Sequence, residues 1–391
     1  MKCDMVYLRF VIFVMAVFFL PAMGSASGTP LTGFDHLLQI VKNEHLEFDA
    51  EKITPILDYV TSDHYTKEPQ PQIAGVENNT YAYCGYESEG GLARLLKYCY
   101  NPDIPSCAVM PSVIRLSAWK NYNGNPATVS PSLWQRLESD DKPVVTRGLY
   151  YMQNTPDLTT GAYYGYDSYR TVILMNYKGR KALVSVLKQK DVSDVGKKGF
   201  IIGDESEMDY FYSGEQGLTV KGLGWVKSFL YDSFSVSVFV EDKKGEALLR
   251  CGVFKWIRAG WAGKNIVRKS QVKKGMERYA TEFKNLMGKK NFPSADELVD
   301  ICNSFKSLPT DEMKKRVERL IQSMHVKCVN SPTCPKVIES GDALGQYVDK
   351  LSRAELSSAL IVDYIKTINS RTDKTGNIAL KPISGIKPKV F

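Results

Sequence analysis

The sequence feature that most constrains the fold is a change of hydrophobic period between residues 224 and 290. Residues 225–230, 234–241 and 248–257 alternate or cluster apolar, aromatic and β-branched side chains, which predicts strands. A short turn with glycine joins the last two as a hairpin. After Gly260-Trp261-Ala262-Gly263 the period becomes about 3.6, so a strand meander leads into one long helix. The apolar face of that helix is formed by Val272, Met276, Tyr279, Ala280, Phe283, Leu286 and Met287.

Strand signals also lie upstream of this region. Residues 169–177 and 182–189 predict the clearest hairpin in the chain. Further strands are predicted over 144–152 and 199–203, whereas the acidic, then glycine-rich residues 205–222 predict a loop. Because the connectors are too short for crossover helices, we expect six or seven strands, all antiparallel.

The remaining segments have helical patterns and complete an α+β fold class. Helices are predicted over 32–43, 52–59, 91–98, 294–305, 311–324, 343–351 and 352–368. The expected organisation is a signal peptide over 1–26, an N-terminal helical segment over 27–79, a sheet domain with its long helix over 80–290, a small helical domain over 291–371 and a basic, flexible tail over 372–391.

The N-terminus has the pattern of a signal peptide. Lys2 and Arg9 precede an uninterrupted apolar run over residues 10–20, and small residues suit cleavage after Ala26. The run is shorter than the ~20 residues that span a bilayer, although an uncleaved anchor is the alternative. We therefore expect an exported protein, either periplasmic or secreted.

Cysteine usage is typical of an oxidising compartment. Of the eight cysteines, seven remain after cleavage: Cys84, Cys99, Cys107, Cys251, Cys302, Cys328 and Cys334. We expect one disulfide among the first three and another among the last three, with the connectivity open. Cys251 lies in the middle of a predicted strand, which predicts a buried free thiol.

The sequence contains no catalytic motif. There is no Gly-x-Ser-x-Gly, and the four histidines have no neighbouring nucleophile. The glycine-rich residues 215–224 lack the lysine of a phosphate-binding loop. Glu205, Glu207 and Asp209 lack the pattern of a calcium loop, and the chain has no Cys-x-x-Cys of a zinc site. We therefore expect no catalytic residues, no metal and no cofactor.

The order of elements resembles a known family of ligand-binding domains. The hairpin Tyr169-Arg170-Thr171-Val172-Ile173-Leu174 returns through Leu183-Val184-Ser185-Val186, and the Gly260-Trp261 turn leads into a helix that ends Glu282-Phe283-Lys284-Asn285-Leu286. Over about residues 80–290 this pattern resembles the START-type, helix-grip domains. The resemblance implies a curved antiparallel sheet that grips the long helix around an apolar cavity.

The function that this resemblance implies is non-catalytic binding of a lipid or another apolar or amphipathic small molecule. The side chains expected to line the cavity are Trp261, Tyr279, Phe283, Met276, Phe234 and Arg170. In residues 233–239, Phe234 lies on an apolar face and the serines lie on the other, and periodicity leaves open which face meets the cavity. Two alternatives stay open: a structural or interaction protein with a filled core, and an enzyme of the cyclase or hydrolase type.

Basic residues are concentrated on the long helix and the strand before it. The formal net charge is +8, and residues 250–290 contain twelve Lys or Arg but only two glutamates. Lys269, Lys273, Lys274 and Arg278 are candidates for contact with an anionic membrane surface. The alternative is the solvated outer face of an amphipathic helix. Nucleic acid is not expected, because the chain has an export signal and no recognition motif.

Overall fold

The structure is a computed structural model that describes residues 30–123, 133–137, 142–220, 224–242, 247–289, 292–328 and 344–375. The α-helices are α1 (Phe34–Lys42), α2 (Ala50–Thr61), α3 (Gly91–Cys99), α4 (Lys269–Gly288), α5 (Ala295–Ser307), α6 (Thr310–Cys328), α7 (Leu344–Asp349) and α8 (Arg353–Thr375). The strands are β1 (Thr80–Glu89), β2 (Ile114–Lys120), β3 (Val144–Asn154), β4 (Ala162–Tyr163), β5 (Gly165–Tyr177), β6 (Arg180–Gln189), β7 (Lys197–Ile201), β8 (Tyr210–Gln216), β9 (Leu218–Val220), β10 (Gly224–Val226), β11 (Phe229–Glu241) and β12 (Leu248–Gly260). The described residues from Leu31 onward belong to one compact unit.

Seven strands form the main sheet, in the order β1-β12-β11-β6-β5-β3-β2. Every neighbouring pair is antiparallel, and the sheet ends at β1 and β2 without closing. These observations confirm the α+β class and the expected number of antiparallel strands. Two small sheets, β4-β7-β8 and β10-β9, lie outside the main sheet.

The membership of the main sheet differs from the sequence prediction. Strand β1 pairs with β12 along its whole length, from Thr80 opposite Ile257 to Glu89 opposite Leu248, and β2 pairs with β3 at the other edge. The sequence pattern predicts neither edge strand, and β8 occupies part of the loop predicted over 205–222. The predicted strand over 199–203 contributes only to a small sheet, and the predicted strand over 225–230 is divided between the small strand β10 and the first residues of β11. Edge strands are held by partners distant in sequence, so their local pattern is weak.

Helices cover both faces of the main sheet. On one face, α1 packs on β5 and β6, and α2 packs on β11 and β12. On the opposite face, α3 packs across β6, β11 and β12, and α4 packs on β1. A sheet that is covered on both sides needs apolar residues in both phases of its central strands, which explains the nearly continuous apolar run in β6.

Strand β11 divides its side chains between the two faces. Its buried side chains on the α1 and α2 side are Phe234, Val236, Val238 and Val240. The ring of Phe234 lies 5.2 Å from that of Trp256 in this core. Ser235 and Ser237 lie on the opposite face because side chains alternate along a strand. The structure therefore places Phe234 in the core on the face away from α4, and not beside the long helix as expected for a ligand contact.

Gly260 ends β12 and begins the turn that leads to α4. Its φ angle is +156°, and a Cβ atom there would lie 2.2 Å from the carbonyl oxygen of Lys264. The Ile266 amide donates to the Ala259 carbonyl at 2.9 Å and closes the turn. Only glycine fits this position without a clash. The predicted change from strand to long helix at this point is confirmed.

The C-terminal helices share one hydrophobic core with the main sheet. Phe305 of α5, Val317 of α6 and Leu356 of α8 are buried in the same cluster as Phe239 and Phe283. The sequence predicts helices in this part of the chain, and the structure has them. It packs them against β2 of the main sheet and the 3-10 turn over residues 106–108, in the same core as the sheet and without a separate one.

Most described cysteines are free thiols. Cys251 is buried in the middle of β12, as predicted. Cys84, Cys99 and Cys107 are also free, so the disulfide expected among them is not formed in this structure. Cys328 does not belong to this free set, and Cys334 lies outside the described residues. The second expected disulfide therefore stays a prediction.

We expect Phe234→Ala to lower the free energy of unfolding by about 3–5 kcal/mol, because it leaves a cavity in the core beneath α1 and α2. Urea denaturation measures this change. The control is Lys274→Ala on the exposed side of α4, which should stay within about 0.5 kcal/mol of the wild type. A Phe234 variant as stable as the control would contradict this placement of the ring.

Candidate functional site

Helix α4 lies along the edge strand β1. The Thr80 hydroxyl donates to the Val267 carbonyl at 2.9 Å just before the helix, and the rings of Tyr86 and Phe283 are 5.9 Å apart near its end. The helix therefore runs in the same direction as β1, and it packs mainly on that strand. It packs less extensively on β12, the strand that carries Lys255.

The sheet face beside α4 has an apolar half and a polar half. The buried side chains of the apolar half are Tyr86, Leu174, Leu183, Phe239, Leu249 and Cys251. In the polar half, Ser237 lies opposite Ser185, and Ser235 lies opposite Lys255. A row of residues paired across neighbouring strands begins at Lys255 on β12 and ends at Arg170 on β5. Ser235 on β11 and Leu187 on β6 lie between them. Two basic side chains and three serines therefore share one region of the face.

The polar half is partly accessible within the described part of the chain. Ser235, Ser237 and Lys255 are partly accessible, although β11 and β12 have neighbouring strands on both sides. Side chains on the interior strands of a doubly covered sheet are normally buried. Their accessibility therefore marks a space on this face. We call this space the basic cleft and define it by Lys255, Ser235, Ser237, Ser185 and Arg170.

Lys255 has no charged or hydrogen-bonded partner among the described residues. Burial lowers the pKa of its ammonium, and no nearby carboxylate raises it. Its cross-strand neighbours, Ala82 and Ser235, are both small. A desolvated cation without a partner is unfavourable. The small neighbours leave space in which a ligand can approach it.

Arg170 lies among aromatic rings at the other end of the row. Its guanidinium carbon is 4.4 Å from the ring centroid of Trp119, 4.5 Å from that of Tyr150 and 4.9 Å from that of Tyr100. These cation–π contacts are each worth about 0.5–2 kcal/mol. The side chain is 8% exposed, and no acceptor within the described chain reaches its Nε. Arg170 is thus stabilised by rings and not by a carboxylate.

Tyr279 of α4 lies close to this group of rings. Burial raises the pKa of Tyr279, Tyr100 and Cys99 raise it further, and Arg170 lowers it. Charge effects of this kind fall off with distance. Arg170 and Tyr279, two residues that the sequence predicted for the site, therefore lie near enough for the charge of one to affect the pKa of the other.

The other predicted lining residues are distributed around the cleft. Met276 is buried on the inner face of α4, and Phe283 lies in the apolar half with its ring 5.6 Å from Phe239. Trp261 lies in the turn before α4 and is partly exposed. Phe234 is on the opposite face of the sheet. Met276, Phe283 and Phe234 therefore belong to the hydrophobic cores.

Arg278, predicted as a membrane contact, instead joins α4 to its neighbours. Its Nη1 donates to Glu205 at 2.8 Å and its Nη2 to the Thr155 hydroxyl at 2.8 Å. Beside it, Glu282 accepts from the Ser112 amide at 3.0 Å. Burial raises the pKa of Glu282 to about 7, against the lowering effects of Ser112 and Arg278. These contacts hold α4 against the segments that contain Ser112, Thr155 and Glu205, and we call this place the α4 junction.

The three predicted lysine contacts remain on the outer side of α4. Lys269, Lys273 and Lys274 are exposed, and Lys269 pairs with Glu68. Lys273 also lines an open groove of about 360 Å³ between β1 and α4, together with Glu277. A basic outer surface is therefore present, as the sequence predicted, but it does not include Arg278.

A further cavity of about 260 Å³ lies between β8 and helices α6 and α8. Arg115 pairs with Glu355 at 3.0 Å at one end, and Lys327 pairs with Asp209 at 2.6 Å at the other. Every basic side chain that lines it has a carboxylate partner within the described chain. The cavity is internally neutralised, unlike the basic cleft.

The residue that most distinguishes the site is not among the predicted ones. The sequence pattern places Lys255 only among the basic residues before the helix. A usable signal is nevertheless present, because Lys255 lies between the core residues Phe254 and Trp256 and must point away from both. Tyr100 and Trp119 have no comparable signal, since they reach Arg170 from a loop and an edge strand.

Comparison with known proteins adds no assignment. No protein-family model matches the chain, and no curated protein matches it. Across the described ranges, no group of His, Cys, Asp and Glu is arranged to hold a metal ion. None of the helices in the same ranges is long and apolar enough to cross a membrane. The signal peptide predicted over 1–26 lies outside the described residues.

We expect Glu282→Gln to stabilise the protein at high pH only. The pKa of about 7 in the folded state exceeds that of the unfolded carboxyl, so stability is lost as the pH rises from the unfolded pKa through 7 and is unaffected below the unfolded pKa. Above pH 7 the free energy of unfolding of the variant should exceed that of the wild type by about 1–3 kcal/mol. Below the pKa of the unfolded carboxyl the two proteins should be almost equally stable. Urea denaturation across pH measures the difference.

The matched control is Glu277→Gln, an exposed glutamate on the same helix. It removes the same charge from α4 without removing a buried carboxylate, so its stability should follow the wild type at every pH. An equal gain in both variants would assign the effect to the charge of the helix and not to the burial of Glu282.

Proposed function

We propose that the protein is an exported binding protein that holds a lipid or another apolar or amphipathic small molecule in the basic cleft. The proposal includes a START-like, helix-grip arrangement in which α4 and the sheet enclose the ligand. The order of β12, the Gly260 turn and α4 supports this arrangement. The signal-peptide pattern at the N-terminus supports export.

The observation that carries the proposal is the partial accessibility of the polar half of the sheet. Ser235, Ser237 and Lys255 are on interior strands, and a protein with a filled core would bury them. Leu187 and Ile257 are partly accessible apolar side chains on the same face. A ligand with both an apolar and a polar part would complement such a surface. The filled-core alternative is therefore less well supported.

The enzyme alternative needs an acid or base that reaches the cleft. In the described chain, neither Lys255 nor Arg170 forms an ion pair with a carboxylate, and Glu282 is held by Ser112 at the α4 junction. Proton transfer requires such a group within hydrogen-bond distance of the substrate. Binding without chemistry is the function that this arrangement supports best.

We expect the mature protein, purified from its host, to carry a stoichiometric apolar or amphipathic molecule that native mass spectrometry detects. Ser235→Phe should lose this molecule, because the ring fills the space beside Lys255. The matched control is Ser270→Phe on the exposed side of α4, which should retain it. A wild-type protein that is empty and does not take up fluorescent lipids would refute the binding function.

We also propose that α4 docks the protein on an anionic membrane surface. Lys273 and Lys274 project from the outer side of the helix and take part in no ion pair within the described part of the chain. Each basic residue near such a surface contributes about 1 kcal/mol. Docking there would bring the cleft next to a source or acceptor of lipid.

We expect Lys273→Glu/Lys274→Glu to weaken binding to vesicles with anionic phospholipid by about tenfold or more, because two attractive charges become repulsive. Vesicle sedimentation measures the bound fraction. The matched control is Lys315→Glu/Lys350→Glu, which reverses two exposed lysines away from α4. Equal losses in both variants would indicate a general charge effect and contradict docking by α4.

A further inference from the structure

We propose that the ligand of the basic cleft has an anionic oxygen head group, a carboxylate or a phosphate, that pairs with Lys255. This inference rests on the proposed function, and it specifies the chemical class of the ligand. The anion would receive hydrogen bonds from the Lys255 ammonium and from serine hydroxyls beside it, with Arg170 adding positive charge at the far end of the row.

The first argument is the placement of the two cations. Lys255 and Arg170 belong to one row across the sheet and are separated by Ser235 and Leu187. Three strand spacings place their backbones about 14 Å apart. Both side chains belong to the face that carries the cleft. The row therefore presents positive charge at both ends and a hydroxyl between them.

The second argument is that no carboxylate of the described chain neutralises the positive charges of Lys255 and Arg170. Lys255 is only partly accessible and lacks an ion pair and a hydrogen bond within the described chain, and a partly desolvated charge is normally paired. Arg170 is more than nine-tenths buried, and its Nε lacks an acceptor in the same part of the structure. By contrast, the basic residues of the cavity beside α6 and α8 all have carboxylate partners. Of these two spaces, only the basic cleft lacks anions from the described chain.

The third argument is the match to an amphipathic molecule. Ser235 and Ser237, which are partly accessible, carry hydroxyls that suit the remaining oxygens of a carboxylate or phosphate. Leu187 and Ile257 offer partly accessible apolar surface beside them. A neutral lipid would leave Lys255 desolvated and unpaired, and a cationic one would be repelled. An anion with an apolar tail would pair with Lys255 and also cover the apolar surface.

The test compares three probes that share one tail: hexadecanoate, hexadecyl phosphate and hexadecanol. Calorimetric titration uses the mature protein after removal of any molecule that co-purifies. We expect both anionic probes to bind about tenfold to a hundredfold more tightly than the alcohol, the range for one charge-assisted hydrogen bond. The better of the two anions then identifies the head group as a carboxylate or a phosphate.

The deciding variant is Lys255→Met. It should lose the preference for the anionic probes, so that all three probes bind with similar affinity, while the ligand-free protein melts at the same or a higher temperature because an unpaired cation has been removed. A lysine with a merely structural role would show the opposite change in melting. Lys315→Met on the exposed side of α6 is the matched control, and Lys255→Arg should retain the preference.

The outcomes separate this inference from the proposed function. If hexadecanol binds as tightly as the anions, or if Lys255→Met keeps the preference, the head-group inference is wrong and the binding function stands. If none of the three probes binds and the protein from its host is empty, both are wrong. Should Lys255→Met fail to fold, the comparison of probes on the wild type and on Lys255→Arg still decides the inference.

Discussion

The antiparallel pairing of β1 with β12 is the interaction on which the rest of this structure depends. It joins residues 80–89 to residues 248–257 and completes one edge of the main sheet. Because α4 follows β12 and packs on β1, the same pairing sets the position of the helix. It also places the small side chain of Ala82 next to Lys255, so that the lysine is not covered by its neighbour on the sheet.

The two faces of the sheet have different roles because the strands alternate. The face beneath α1 and α2 is mainly apolar in its central strands and supplies a well-packed core. The face beside α4 is apolar at one end and polar at the other. In the polar half Arg170 is stabilised by aromatic rings, whereas Lys255 has no partner among the described residues, and a desolvated cation without a partner is unfavourable. Polar residues in such a position are typical of a site where function opposes stability.

Much of the architecture is predictable from local pattern. The hairpins, the long helix, the C-terminal helices and the free thiol at Cys251 all follow from hydrophobic period and turn residues. Strand β1 is not predictable in this way, because its tyrosines and glycine have no strong alternation and its partner is distant in sequence. Arg278 shows a similar limit. Its place among basic residues suggests a surface contact, whereas its guanidinium pairs with Glu205 from another element.

The sequence by itself determined the hydrophobic periodicity. This periodicity indicates which residues form strands and which form α4, and it requires Phe234 and Ser235 to lie on opposite faces of the sheet. Only the tertiary structure decided which face meets which helices, because that depends on the non-local pairing of β1 and on where α1 and α2 pack. It therefore placed Phe234 in a core and Lys255 in a cleft. Alternation along a strand is a local property, whereas accessibility depends on everything packed above the strand.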